Sequence, residues 1–446
     1  MASCIGFFSS PFPLASTRLQ SKTRSLGIFS RASSSRVSLR ILSAFTAPVQ
    51  SPEVHRRSAN YQPRIWEHSF IQSLESGYKI EGARMAKIVN ISEVHAEQAE
   101  KLKDEVRKLL NERLHPVVML ELIDNLQHLG IGYLFDREIN ESLSNISSKR
   151  DDVLSKKDLH ATSLLFRLLR DHGFQVTQDV FDDFMDRSGE FMDSLRDNTK
   201  GLLSLYEASY HGFEGESIID KARAFSTEQL KKYMKGNDKM NLREQVDHAL
   251  ELPRLWRMQR LEALWFIDQY ERQGDINTVL LKLAKLDFNM VQSVHQESLR
   301  SLSRWWVDLG LGEKLSYMRD RLPEHFLWGV GTTSAPQYRL SREGVTKDEL
   351  KRGDVPKAIQ CYMNDKKVYE EVSREHIRGL LSEKWKNINE DRITPSPFPR
   401  EVVDAAIDLL RISQCIYQYG DGHGSPDKET KDQIMSLFIQ PISLDA

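Results

Sequence analysis

Along most of this chain, apolar residues recur at intervals of three and four with charged residues between them. In residues 96–114, Ala99, Leu102, Val106, Leu109 and Leu110 share one face while Lys and Glu fill the other, the period of an amphipathic α-helix. Leu159, Leu164, Leu165, Leu168 and Leu169 repeat it, and Val402, Val403, Ala406, Ile407, Leu410 and Cys415 do so again near the C-terminus. Gly and Pro fall mostly between such stretches, at His172-Gly173 and in residues 395–399, where they end helices. There is no sustained alternation of period two, no dinucleotide fingerprint, no phosphate-binding glycine loop and no repeat of fixed spacing. The expected fold class is all-α.

The first fifty residues break this pattern. They hold six Lys or Arg, twelve Ser and no Asp or Glu, and the first acid is Glu53. Arg18, Lys22, Arg24, Arg31, Arg36 and Arg40 cut every apolar run short, which excludes a secretory core and matches an organelle import peptide. Residues 1–52 are therefore expected to be a transit peptide. No run approaches the roughly 20 apolar residues that cross a bilayer, so no membrane partner is expected. Without the leader the net charge moves from −2 to about −8, which argues against nucleic acid. Cys4, Cys361 and Cys415 are too few and too scattered for a disulfide framework or a thiolate metal site. Roughly 395 residues remain, enough for two domains.

Directly behind the leader stand Arg56 and Arg57, with eight residues separating them from Trp66. Paired guanidiniums are rigid forks suited to a diphosphate or a carboxylate, and an indole would pin the strand that carries them. Further blocks follow: Leu120-Glu121-Leu122-Ile123-Asp124, Phe166-Arg167-Leu168-Leu169-Arg170-Asp171-His172-Gly173-Phe174 and Leu205-Tyr206-Glu207-Ala208-Ser209 in the first half. Ser303-Arg304-Trp305-Trp306, Arg319-Asp320-Arg321-Leu322 and Tyr419-Gly420-Asp421-Gly422-His423-Gly424 lie in the second. Together these resemble the plant monoterpene synthases, including ocimene, tricyclene and isoprene synthase-like members.

The resemblance implies an N-terminal α-barrel domain over residues 53–270, catalytically silent in this class, and a class I catalytic α-bundle over residues 271–446. It implies a plastid address and a carbon–oxygen lyase acting on a prenyl diphosphate, geranyl diphosphate first. Arg56, Arg57 and Trp66 would cap the active site, Arg319 and Arg321 would contact diphosphate, and Tyr419 and Asp421 would belong to a lid. Pulling an allylic cation from diphosphate requires that the growing negative charge be met by metal ions and fixed cations. The family holds Mg2+ or Mn2+ with an aspartate-rich motif and an Asn or Asp, Ser or Thr, Glu triad, in keeping with the oxygen ligands that magnesium prefers.

The middle of that catalytic bundle is missing. After Thr346-Lys347, where the family enters the aspartate-rich helix, this chain continues at once with Asp348-Glu349-Leu350, a run resembling the segment after the second metal motif. Glu349 matches the final glutamate of the triad, but Ser341 and Val345 occupy the places of its first acid and its hydroxyl. Metal binding is thus doubtful, and an impaired enzyme is expected, with a noncatalytic partner or regulator of an intact synthase as the alternative. One literal string, Asp182-Asp183-Phe184-Met185-Asp186, lies in the silent half and reads as a solvated helix face. Trp305, Trp306 and Trp328 read as core packing, and an Arg-x-Arg at a helix end can equally be surface charge. The pattern specifies no oligomeric state.

Overall fold

The computed structural model describes residues 64–75, 77–78, 89–236, 242–274, 276–310, 320–330, 358–394, 400–420, 422 and 426–444. Residues 57–446 form one compact unit, and residues 1–63 lie outside the described residues. The chain is all-α, as its periodicity predicts. Among the described residues the only sheet-like feature is an isolated bridge between Met185 and Phe191, and no helix is long and apolar enough to cross a membrane.

Helix α1 (His68–Ser73) precedes α2 (Val89–Asn111), α3 (Pro116–His128), α4 (Asp136–Ser148), α5 (Asp151–Leu154) and α6 (Leu159–Asp171). Next come α7 (Thr199–Ser209), α8 (Ser217–Lys235), α9 (Arg243–Glu251), α10 (Gln259–Glu271) and α11 (Thr278–Leu309). The series closes with α12 (Leu322–Val330), α13 (Ala358–Lys366), α14 (Glu370–Ile393), α15 (Arg400–Tyr417) and α16 (Lys428–Phe438).

Local chemistry sets several of these boundaries. The Asp158 carboxylate accepts the Ala161 N–H at 3.1 Å and so caps α6, satisfying a donor that the helix itself cannot. Asn277 does the same for α11, accepting from the amides of Val279 and Leu280 at 3.0 and 3.3 Å. That helix stops at Gly310, whose φ of 60° is left-handed, a conformation open to glycine without a Cβ penalty.

The stripe predicted on α2 turns inward, with Ala99, Leu102, Val106 and Leu110 all buried. On α6 burial extends beyond the stripe to Arg167 and Arg170, because α3 and α7 both pack against it. Helix α11 touches α1, α2, α10, α12 and α16, and one continuous core runs from Trp66 to Phe438. The expected domain boundary at 270/271 falls at the last residue of α10, and α10 packs against α11.

The later helices are fastened onto the earlier ones. Trp385 on α14 stacks on Trp256 at 5.7 Å inside a small core with Leu255 and Ile407. Asn389 donates to the carbonyls of Tyr210 and Gly212 at 2.7 and 3.1 Å, and Lys386 pairs with Asp220 at 2.5 Å. Arg411 on α15 donates to the Leu255 carbonyl at 2.9 Å. Helix α13 packs on α14 around Ile359, Ile377 and Leu381.

Two sequence readings need correction. Trp305 is not core packing: it is 54% exposed, because it projects from the side of α11 away from the buried row that holds Leu299 and Ser303. Trp306 and Trp328 are half-buried against the core. The acidic string at 182–186 is solvated, but not as an α-helical face. Residues Gln178–Phe184 form a 3-10 helix anchored by buried Phe181 and Phe184, while Asp183 pairs with Lys157 at 2.8 Å and Asp186 accepts from Ser188.

Candidate functional site

Of the expected site residues, Arg56, Arg57, Arg319, Glu349 and Asp421 lie outside the described residues. Trp66, Arg321 and Tyr419 are described. Trp66 is 5% exposed and Arg321 is 3% exposed, so neither is an ordinary surface residue. They lie in one neighbourhood, where residues 64–72 meet α11 and the start of α12.

Trp66 stacks on Phe70 with ring centroids 6.1 Å apart, and the Lys431 ammonium sits 5.9 Å over its ring. Two residues on, the His68 ring bridges two other segments: Nε2 lies 2.9 Å from an Asp320 oxygen and Nδ1 lies 3.0 Å from the Ser303 hydroxyl. With Nε2 protonated, His68 donates to Asp320 and accepts from Ser303. Arg64 approaches the same Asp320 oxygen at 3.5 Å, and Gln72 donates to the Arg300 carbonyl at 3.0 Å. Each fastening joins residues more than 200 positions apart in sequence.

A Ser, a His and an Asp in line suggest a hydrolytic triad, but this one fastens rather than attacks. Ser303 is fully buried within α11, whereas nucleophilic catalysis needs a hydroxyl that substrate can reach. On the first turn of α12, Glu324 is 2% exposed. Burial pushes its carboxyl up, against the opposing effects of its own backbone N–H and of Arg321. The Trp66 indole N–H faces this carboxyl and also opposes the rise, although the pair falls short of full hydrogen-bond geometry.

Tyr419 stands apart from this cluster. It is 57% exposed, and its hydroxyl donates to Glu251 at 2.7 Å; partial burial and that carboxylate push its ionisation up to about 12. It lines an open groove with Glu429, Lys431, Gln433 and Met435. The nearby turn depends on Gly422, where a Cβ would meet Thr430 Oγ1 at 2.6 Å and the Ile416 carbonyl oxygen at 2.7 Å.

Sequence reasoning missed a buried ionic network in the first half. Asp124 bonds to Arg167 and lies 3.2 Å from His128; burial alone would raise this carboxyl, but Arg167 and His128 hold it well below the usual range. Burial pushes the Glu207 carboxyl up to about 7 despite Arg167 and Arg254. Burial likewise lowers His211 to about 3. Arg392 of α14 pairs with Asp171 at 3.1 Å, and His248 with Glu262 at 2.7 Å. The signal available in sequence was the cluster of charges inside otherwise apolar blocks, such as Arg167 and Arg170 within the Leu-rich stripe.

No group of three or more His, Cys, Asp or Glu side chains is placed to hold a metal ion among the described residues. Within the network Asp124 is met by Arg167, Asp171 by Arg392 and Glu262 by His248.

Residues 65–250 match the family model described as the terpene synthase N-terminal domain, and residues 343–387 match that of the terpene synthase metal-binding domain. A myrcene synthase of Quercus ilex described as chloroplastic is 34% identical, with 88% of this chain and 91% of the relative covered. That alignment spans 555 positions against the 446 residues of this chain, so at least 109 of them have no counterpart here. Among solved structures, limonene synthase with 2-fluorolinalyl diphosphate superposes with a TM-score of 0.77 at 28% identity, covering 87% of this chain and all of that one. Isoprene synthase of grey poplar (Populus x canescens), in complex with three Mg2+ ions and dimethylallyl-S-thiolodiphosphate, gives 0.71 at 31% identity over 78% of this chain and 98% of that one. The chain belongs to the terpene synthase family, with monoterpene and isoprene synthases as its relatives.

Proposed function

We propose that this chain derives from a synthase that ionises geranyl diphosphate to a monoterpene with loss of diphosphate, and that the present shortened form is catalytically impaired. The observation that carries this reading is the junction at Lys347-Asp348, taken with the positions of the relatives that have no counterpart here. Residues 53–270 form the N-terminal domain in this reading, and residues 271–446 what is left of the catalytic one. In the family Mg2+ or Mn2+ neutralises the departing diphosphate. The residues present do not fit that ion: Ser341 and Val345 replace two triad ligands, Glu349 is a lone remnant, and in the string at 182–186 Asp183 and Asp186 are engaged elsewhere. No catalytic step is assigned to a metal here.

The other site residues keep family roles in this proposal. Arg56, Arg57 and Trp66 cap the site, Arg319 and Arg321 face diphosphate, and Tyr419 and Asp421 serve the lid. The burial of Trp66 and Arg321 in one neighbourhood supports the first two assignments. The test is incubation of the purified chain with geranyl diphosphate and Mg2+ or Mn2+, followed by analysis of volatiles. No terpene above a boiled control is expected, and robust turnover overturns the impairment. Sequencing the transcript across the Lys347-Asp348 junction separates splicing from a genomic deletion.

A second reading, a noncatalytic partner of an intact synthase, is favoured by Val294, Leu302 and Trp305, which are exposed on α11. Co-purification with an intact synthase of the family, lost in Trp305→Ser, tests it. The acid-free leader and the chloroplastic description of the Quercus relative support a plastid address, which a fluorescent fusion of residues 1–52 tests.

A further inference from the structure

Two buried polar groups in the motif neighbourhood lie beside one another and neither makes a hydrogen bond of full geometry, although the Glu324 backbone N–H and Arg321 also act on the carboxyl. One is the indole N–H of Trp66 and the other is the Glu324 carboxyl, both of whose oxygens are unbonded. Buried donors and acceptors are almost always paired in folded proteins, so two adjacent orphans of opposite kind mark an interaction. We propose that Glu324 is a positioning residue for the N-terminal segment: its carboxyl is the acceptor that seats the Trp66 indole, while Asp320, four residues earlier and outside the helix, holds His68 and Arg64. The inference rests on the reading of Trp66 as part of a cap.

The surroundings leave the ring little alternative. Phe70 lies on the indole as a stacked neighbour and the Lys431 ammonium stands over its ring, so the N–H at the ring edge is its one polar handle. On the chain to either side, Asp320 holds His68 and the Arg300 carbonyl holds Gln72. These contacts fix the entry angle of the segment, and the indole enters the core together with Ile71 and Leu74. Protonated or ionised, the Glu324 carboxyl offers an oxygen to the N–H. The role therefore depends on an acceptor at this place and not on charge. Asp320, just before α12, and Glu324, in its first turn, together make a two-point fastening for a segment about 250 residues away in sequence.

The competing explanation is that Trp66 is held by apolar burial alone. Hydrogen exchange of amides 66–74 in the full-length protein separates the two, with α6 and α7 as internal reference. Trp66→Phe keeps a buried ring and loses the donor; Glu324→Ala loses the acceptor; Glu324→Gln keeps an acceptor of the same shape. We expect Trp66→Phe and Glu324→Ala each to speed exchange in residues 66–74 about tenfold or more with the reference helices unchanged. The double variant exceeds the larger single effect by less than about twofold, and Glu324→Gln stays within about twofold of wild type.

Wild-type exchange in Trp66→Phe, a Glu324→Gln as loose as Glu324→Ala, or multiplicative effects in the double variant overturns the proposal. Should Glu324→Ala fail to fold, Trp66→Phe and Glu324→Gln alone decide. No substrate or metal enters this measurement, so its failure is distinguishable from failure of the turnover assay.

Discussion

Helices α3 to α10 and helices α12 to α16 solve the same packing problem by different means. The earlier set encloses its charges: Asp124, Arg167, Asp171, Glu207, His211 and Arg254 sit among helices that also share apolar faces. In the later set α12, α15 and α16 bury apolar residues in the main core, while α14 is held at discrete points through Trp385, Lys386, Asn389 and Arg392, and Arg411 adds a polar fastening to α15. Asp124 and Glu262 are met within the earlier set, by Arg167 and by His248, whereas the Asp171 carboxylate is met from α14 by Arg392. The later helices depend on the surface that the earlier ones provide.

The largest effect expected is that of Arg167→Ala. It leaves Asp124 buried without its guanidinium, and breaking a buried ion pair from one side costs about 3 to 5 kcal/mol. Denaturant unfolding should show this loss across all of the earlier helices at once; a loss below 1 kcal/mol would mean that the network is ornamental. Trp385→Ala should cost about 3 kcal/mol, but confined to α13, α14 and α15. Limited proteolysis should then cleave residues 358–417 while α6 and α7 stay protected. Equal loosening of both regions would erase the contrast between them.

The pH dependence sharpens the comparison further. Glu207 titrates at about 7 in the folded chain, above its unfolded value. Its contribution is therefore fully present below about pH 4.3 and is lost as pH rises through 7, about 3 kcal/mol in all. Glu207→Gln should flatten stability between pH 5 and 8, read from thermal midpoints; an unchanged profile would place the raised titration elsewhere. His211 acts in the opposite direction. Its folded value of about 3 lies below the unfolded one, so its contribution is present above about pH 6.5 and is lost as pH falls toward 3. The smallest effect belongs to the end of the chain. Asp427 caps α16 by accepting the Thr430 N–H at 2.9 Å, and Asp427→Ala should cost about 1 kcal/mol, visible as faster exchange in α16 alone.

Much of the fold was legible in sequence because helix formation is a local matter. The stripes at 96–114 and 159–169 became α2 and α6, and that at 402–415 lies within α15. The family was legible from short blocks spread over the chain. Legibility failed where one residue type has two common uses. Trp305 followed the usual rule that tryptophan is buried and proved exposed, and the acids at 182–186 had a helical composition but a 3-10 backbone between two buried phenylalanines. The site was only half legible: the blocks pointed to Trp66 and Arg321, but nothing in their spacing pointed to Glu324 or His68.

Sequence alone determined that this protein is helical and to which family it belongs. Each of these is written in residue identities over short spans. Tertiary structure alone decided that His68 would lie between Ser303 and Asp320, that Trp66 would face Glu324, and that Arg392 would reach back to Asp171. Those partners lie more than 200 residues apart in sequence, and which face of one helix meets which face of another is set by packing rather than by the period of either.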